Sequence, residues 1–237
     1  MIRTTDAEEI SSPLVSVAPA LARSAHSSVG DMMRKTHFTM IRGFHLADWF
    51  TMANAFCGMG AVLLTMAYLQ THELHLLLLA AAGIVLALIF DALDGRIARW
   101  RQRQSSFGRE LDSLADVISF GVAPAALAYG AGMQGLWDCL VLLYFVGCGV
   151  SRLARYNITA EALSEEAGKV TYFEGTPIPS SVLLVVFLAV AAWLGHIGTA
   201  LYFGSMTLGP WQWHPPVLLF ALSGSLMISK TIRIPKL

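Results

Sequence analysis

The sequence predicts an all-α integral membrane protein with six transmembrane helices, both termini cytoplasmic, and an interfacial helix ahead of the first span. Three observations predict it. Of 237 residues, 55% are apolar and only 14% charged, with a mean hydropathy of +0.59. The apolar residues gather in six runs, and the cations all fall on one side of them. The composition excludes disorder, a collagen-like fibre and an ordinary soluble α/β enzyme, and a formal net charge of zero excludes a generally basic nucleic-acid binder. Cys57, Cys139 and Cys148 lie inside apolar runs without CxxC pairing, which fits core filler better than disulfides or zinc.

A bilayer core of about 30 Å takes about 20 helical residues. The six spans are read as Trp49 to Leu69, Leu74 to Leu93, Leu111 to Ala131, Leu136 to Leu153, Ser180 to Phe203 and Pro216 to Ser229. The third begins among acidic residues and the sixth is short. The 16 Lys and Arg precede the first span, join the second to the third, close the fourth and follow the sixth. The opposite loops, around Thr71 to Glu73, Gly132 to Gly135 and Gly204 to Trp213, carry none. By the positive-inside rule both termini are cytoplasmic, and Trp211 and Trp213 suit the far interface. Residues 1–36 are polar and Ser-rich and read as a cytosolic, partly disordered tail ahead of a membrane domain over 37–237. Met40 to Trp49 mixes aromatic, apolar and basic residues and reads as the interfacial helix, with an ordinary linker as the alternative.

Four aspartates stand out. Ionisable groups in or beside a membrane are costly unless partnered, so they mark functional sites. Asp91 and Asp94 are three apart, Asp112 and Asp116 four apart, so each pair shares a helix face. Two helices joined by a short loop aim both pairs into one pocket at the cytoplasmic edge of the bilayer. Carboxylates this close repel unless cations hold them. Hard divalent ions, Mg2+ or Mn2+, match the ligand type, and a pair of them suits phosphoryl chemistry. A salt-bridge belt at the helix ends is the plainer reading. Thr51 and Asn54, three apart in the first span, line a pocket wall or bind neighbouring helices. His75 and His196 lack a partner at metal spacing, and Gly147 and Gly149 read as helix-packing positions.

Residues 91–116 read DALDGRIARWRQRQSSFGRELDSLAD. This resembles the complete signature of the CDP-alcohol phosphatidyltransferase family, DxxDGxxARx8Gx3Dx3D, matched at Asp91, Asp94, Gly95, Ala98, Arg99, Gly108, Asp112 and Asp116. SRLARYN (Ser151 to Asn157), FEGTPIPSS (Phe173 to Ser181) and LMISKTIRIP (Leu226 to Pro235) resemble the phosphatidylserine synthase branch, and TMANAFCG (Thr51 to Gly58) is compatible with it. The resemblance runs from about Ala47 to the C-terminus. It implies transfer of a phosphatidyl group from CDP-diacylglycerol to L-serine with release of CMP, in the inner (cytoplasmic) membrane with the active site at the cytoplasmic face. It also implies two Mg2+ or Mn2+ ions, one held by Asp91, Asp94 and Asp112, the other by Asp91, Asp112 and Asp116. Asp116 is then the general base. Gly95, Arg99, Ser105 and Gly108, with Thr51 and Asn54, face the nucleotide and diphosphate. Arg152, Arg155, Asn157 and Glu174 are the serine-side residues, with Pro177 and Pro179 stiffening a turn over the pocket. Membrane lipids and a second copy of the chain, as a homodimer, are the implied partners; no nucleic acid is. The same signature serves other acceptors, such as glycerol 3-phosphate, choline or inositol phosphate. A divalent-cation transporter is a reading of another class, opposed by the apolar stretch Leu76 to Phe90.

Overall fold

In the first helix, the buried stripe is the polar one. Helix α1 (Leu46–Thr71) buries Asp48, Thr51, Asn54, Gly58, Ala61, Thr65 and Tyr68, spaced three or four apart, and turns Phe56, Leu63 and Met66 outward. A soluble helix does the reverse. In a bilayer, apolar side chains gain nothing by leaving lipid, so small and polar residues form the helix contacts. This computed structural model describes residues 46–100, 106–165, 172–198, 201, 204–208, 211–229 and 233–235, all within one unit, His45–Leu237. The polar tail and most of the expected interfacial helix lie outside the described residues; Leu46 to Trp49 continue directly into α1.

His72, in left-handed conformation (φ +56°), turns the chain between α1 and α2 (Leu74–Trp100), and its N–H still reaches Tyr68 O at 2.7 Å. The two helices pack along their length. The next span is not one regular helix. It comprises α3 (Ser106–Asp116), a π-helical turn (Val117–Val122) and α4 (Ala123–Gly130). Gly58 lets the π turn approach, since a Cβ there would overlap Ser119 Oγ and stand 2.6 Å from Ser119 Cα. Helix α5 (Leu136–Glu165) follows; its Gly149 passes Ile178, whereas Gly147 faces open space and serves no packing contact.

A 3-10 turn (Ile178–Ser181) leads into α6 (Val182–Trp193), and α7 (Val217–Ile228) closes the helical set. Four stretches are long and apolar enough to cross a membrane: Leu46–Thr71, Leu74–Ile97, Phe107–Gly130 and Leu136–Ile158; Ile178–Trp193 and Val217–Ile228 are shorter apolar helices. The protein is therefore an α-helical membrane protein. The expected fifth span to Phe203 is cut short by its own sequence. Gly195 (φ +77°) bonds back to Ala192 O at 3.0 Å and His196 N to Ala191 O at 2.8 Å, a Schellman stop that ends the helix at Trp193.

Two small antiparallel ribbons were not expected: β1 (Tyr172–Glu174) with β4 (Arg233–Pro235), and β2 (Met206–Leu208) with β3 (Trp211–Trp213). Behind β3 lies a polar contact that sequence reading missed. Asp138, fully buried in the first turn of α5, accepts from Gly135 N at 3.0 Å and His214 N at 2.8 Å, and pairs with His214 Nδ1 at 2.6 Å. It caps α5 and pins the β3–α7 connection to it. Elsewhere α7 lies against α5 through Phe145 and Phe220, ring centroids 5.3 Å apart, and through the close pass of Gly224, where a Cβ would stand 3.3 Å from Phe145 Cα. The outward surface is apolar, with Leu183 and Trp193 about three-quarters exposed, as lipid contact requires.

Gly58→Val is expected to lower the thermal midpoint in detergent, at a cost of about 1–3 kcal/mol from overpacking against Ser119. Gly60→Ala, where a Cβ meets nothing within 4 Å, is expected to leave the midpoint unchanged.

Candidate active site

The helical pattern places the acids as the spacing predicted, but not equivalently. One carboxylate oxygen from each of Asp91, Asp112 and Asp116 lies within 4.8 Å of the other two. Asp91 comes from α2; Asp112 and Asp116, four apart, come from one face of α3. Asp94, on the next turn of α2, stands outside this trio, and its Oδ2 accepts from Thr51 Oγ1 at 2.9 Å. Asp116 is held in turn by α1: Asn54 Nδ2 donates to its Oδ1 at 3.3 Å. Thr51 and Asn54 thus orient two of the four carboxylates.

A cavity of about 330 Å³ opens beside the trio, lined by Asp91, Asp112, Asp116 and Ser113 together with Arg109, Arg152 and Tyr156. Pro177, Ile178 and Pro179 form its other wall, as the stiffened turn was expected to do. Among the described residues the buried Nε of the Arg152 guanidinium has no hydrogen-bond partner, and neither has the buried Asp112 Oδ1. An unsatisfied carboxylate oxygen among three clustered carboxylates is a donor set awaiting a cation. Hard oxygen ligands of concentrated negative charge fit Mg2+ or Mn2+. Asp91, Asp112 and Asp116 would hold one ion, and Asp94, one helical turn from Asp91, is placed to contribute to a second.

The remaining expected residues divide. Gly95 has open space where a Cβ would stand, so the protein's own packing does not require a glycine there. Gly108 lies in the first turn of α3 and Arg155 on α5, outside the cavity lining. Asn157 does not line the cavity either: its Oδ1 accepts from Ser113 Oγ at 3.1 Å and its Nδ2 donates to Glu110 Oε2 at 3.1 Å, bracing α3 against α5. Ser105 lies outside the described residues, as do the side chains of Arg99 and Glu174, whose backbones belong to α2 and β1. Arg109 and Ser113 were not singled out from sequence. Their spacing with Asp112 and Asp116 puts all four on one α3 face, which is the signal that finds them.

The chain belongs to the CDP-alcohol phosphatidyltransferase family, whose profile matches residues 44–211. Among curated proteins it is similar to the CDP-diacylglycerol–serine O-phosphatidyltransferase of Saccharomyces cerevisiae, 43% identical over 203 residues that cover 84% of this chain and 74% of the yeast protein. The protein of the same name from Methanocaldococcus jannaschii is 38% identical over 149 residues, 63% of this chain and 62% of that one. That of Helicobacter pylori is 39% identical over 142 residues, 58% of this chain and 54% of the other.

Asp112→Asn removes an unpartnered oxygen from the centre of the trio. It is expected to weaken Mn2+ binding by at least about tenfold, followed by electron paramagnetic resonance of the free ion, with the thermal midpoint maintained.

Proposed function

We propose that this protein transfers the phosphatidyl group of CDP-diacylglycerol to L-serine, giving phosphatidylserine and CMP, at the cytoplasmic face of the inner membrane. The observation that carries it is the convergence of three carboxylates from two helices with the Arg152 guanidinium in one cavity. The names of the relatives support the same donor and acceptor. Six crossings with both termini cytoplasmic accord with the one-sided placement of the 16 basic residues.

The chemistry follows from what each group offers. Asp116 takes the proton from the serine hydroxyl as its oxygen attacks the β-phosphorus; the bond to the CMP oxygen breaks as the new one forms. Asn54, donating to Asp116 Oδ1, fixes the carboxylate's orientation toward the acceptor. Arg152 offers a planar guanidinium with an unused buried N–H to the serine carboxylate, and Arg109 adds positive charge at the same cavity. Divalent cations, when bound there, would supply neutralisation of the diphosphate and of the departing phosphate. Asp91, Asp112 and Asp116 would hold one of them and Asp94 would contribute to the second, and Arg99 would pair with the diphosphate. Gly95 leaves the cytidine end room to approach. Pro177 and Pro179, rigid in φ, keep the acceptor wall in place.

Purified protein given CDP-diacylglycerol, Mn2+ and a panel of serine, glycerol 3-phosphate, choline and inositol phosphate is expected to release CMP with serine; release with another acceptor alone would replace serine in this reading. Asp116→Asn is expected to abolish turnover without loss of fold. Arg152→Ala is expected to raise the KM for serine by about tenfold or more while lowering kcat less. Arg152→Lys is expected to fall between, because it keeps the charge but not the fork.

A further inference from the structure

Pro124 stands in the first turn of α4 and has no N–H. In a regular helix its N–H would serve the carbonyl of Phe120, four residues back. Phe120 is fully buried in the middle of a membrane span. There no water can replace a missing donor. The proline ring also crowds that carbonyl, and the chain opens into the π turn Val117–Val122, where Ala123 N–H bonds Ile118 O five residues back. Ser181 Oγ supplies what Pro124 withholds. It donates to Phe120 O at 2.7 Å from a fully buried position at the end of the 3-10 turn. On the opposite side Ser119 Oγ donates to Asn54 O at 2.9 Å, fastening the same π turn to α1.

The location of this bond gives it a catalytic bearing. Asp116 ends α3 immediately before the π turn, so the turn's geometry sets how Asp116 is presented. Ser181 closes the segment whose Pro177, Ile178 and Pro179 form the acceptor wall of the cavity. We propose that Ser181 is a positioning residue for the transfer reaction: its hydroxyl, standing in for the N–H absent from Pro124, locks the acceptor wall to the π turn and fixes Asp116 relative to Arg152. The proposal rests on the reading of Asp116 and Arg152 given above.

The test uses the full chain in detergent with Ser181→Ala, Ser181→Thr, Pro124→Ala and the double variant Pro124→Ala/Ser181→Ala. CMP release with serine and direct Mn2+ binding are both measured. Ser181→Ala is expected to lower kcat about tenfold, as loss of one buried hydrogen bond allows, and to weaken Mn2+ binding in parallel. Ser181→Thr, which keeps a hydroxyl, is expected to restore both. With Ala at position 124 a backbone N–H returns, so adding Ser181→Ala to Pro124→Ala is expected to change kcat by less than about twofold. Equal losses in both backgrounds would overturn the proposal, since a packing role does not depend on Pro124. So would Ser181→Ala with a lower thermal midpoint but unchanged Mn2+ affinity and kcat. Should the Pro124 variants fail to fold, the contrast between Ala and Thr at position 181 in Mn2+ affinity still decides. If the unaltered protein releases no CMP with serine, the functional reading fails by itself, and the Mn2+ comparison continues to test the positioning.

Discussion

Four carboxylates gathered at the ends of apolar helices are the constraint on which the rest of this structure depends. Lipid offers them no hydrogen bonds, so on the membrane side their partners come from neighbouring helices or from a bound cation. Helix α1 answers with a buried stripe of Thr51, Asn54 and Gly58: two side chains donate to Asp94 and Asp116, and the glycine admits the backbone of the π turn that follows Asp116. Asp91, Asp112 and Asp116 line the cavity together, Asp112 Oδ1 is buried with no hydrogen-bond partner among the described residues, and a divalent cation would complete the set.

The π turn is the second consequence of the same constraint. Below Asp116 the span must change from a face that presents charge to one that buries Phe120, Leu127 and Ala128 against the core. Pro124 breaks the regular ladder there, and hydroxyls from Ser119 and Ser181 bind carbonyls on α1 and on the turn itself. At the opposite end of the molecule Asp138 and His214 solve a related problem without a ligand. There the carboxylate is fully satisfied by two backbone N–H groups and an imidazole, which marks that pair as structural.

Much of this was legible in the chain. The Asp91–Asp94 and Asp112–Asp116 spacings announced two helix faces, because the 3.6-residue period is local. The apolar runs located four long helices within a few residues. Tertiary bonding stayed hidden. Asn157 reads as an acceptor contact in its motif, yet its amide is used between Ser113 and Glu110, a choice made by how α3 meets α5. The fifth apolar run was read through to Phe203 because hydropathy outweighed Gly195, whose left-handed conformation stops the helix. Asp138 was passed over because an isolated acid beside an apolar run shows no partner in sequence when its histidine lies 76 positions away.

The sequence by itself determined the membrane class, the helix faces that carry the acids and the family signature, since composition, periodicity and motif spacing are properties of neighbouring residues. Tertiary structure decided which carboxylates meet, which of them α1 restrains, and which arginines line the cavity. Those depend on contacts between helices distant in the chain, and in a bilayer such contacts are set by small residues and single hydrogen bonds rather than by a hydrophobic pattern that can be read along one helix.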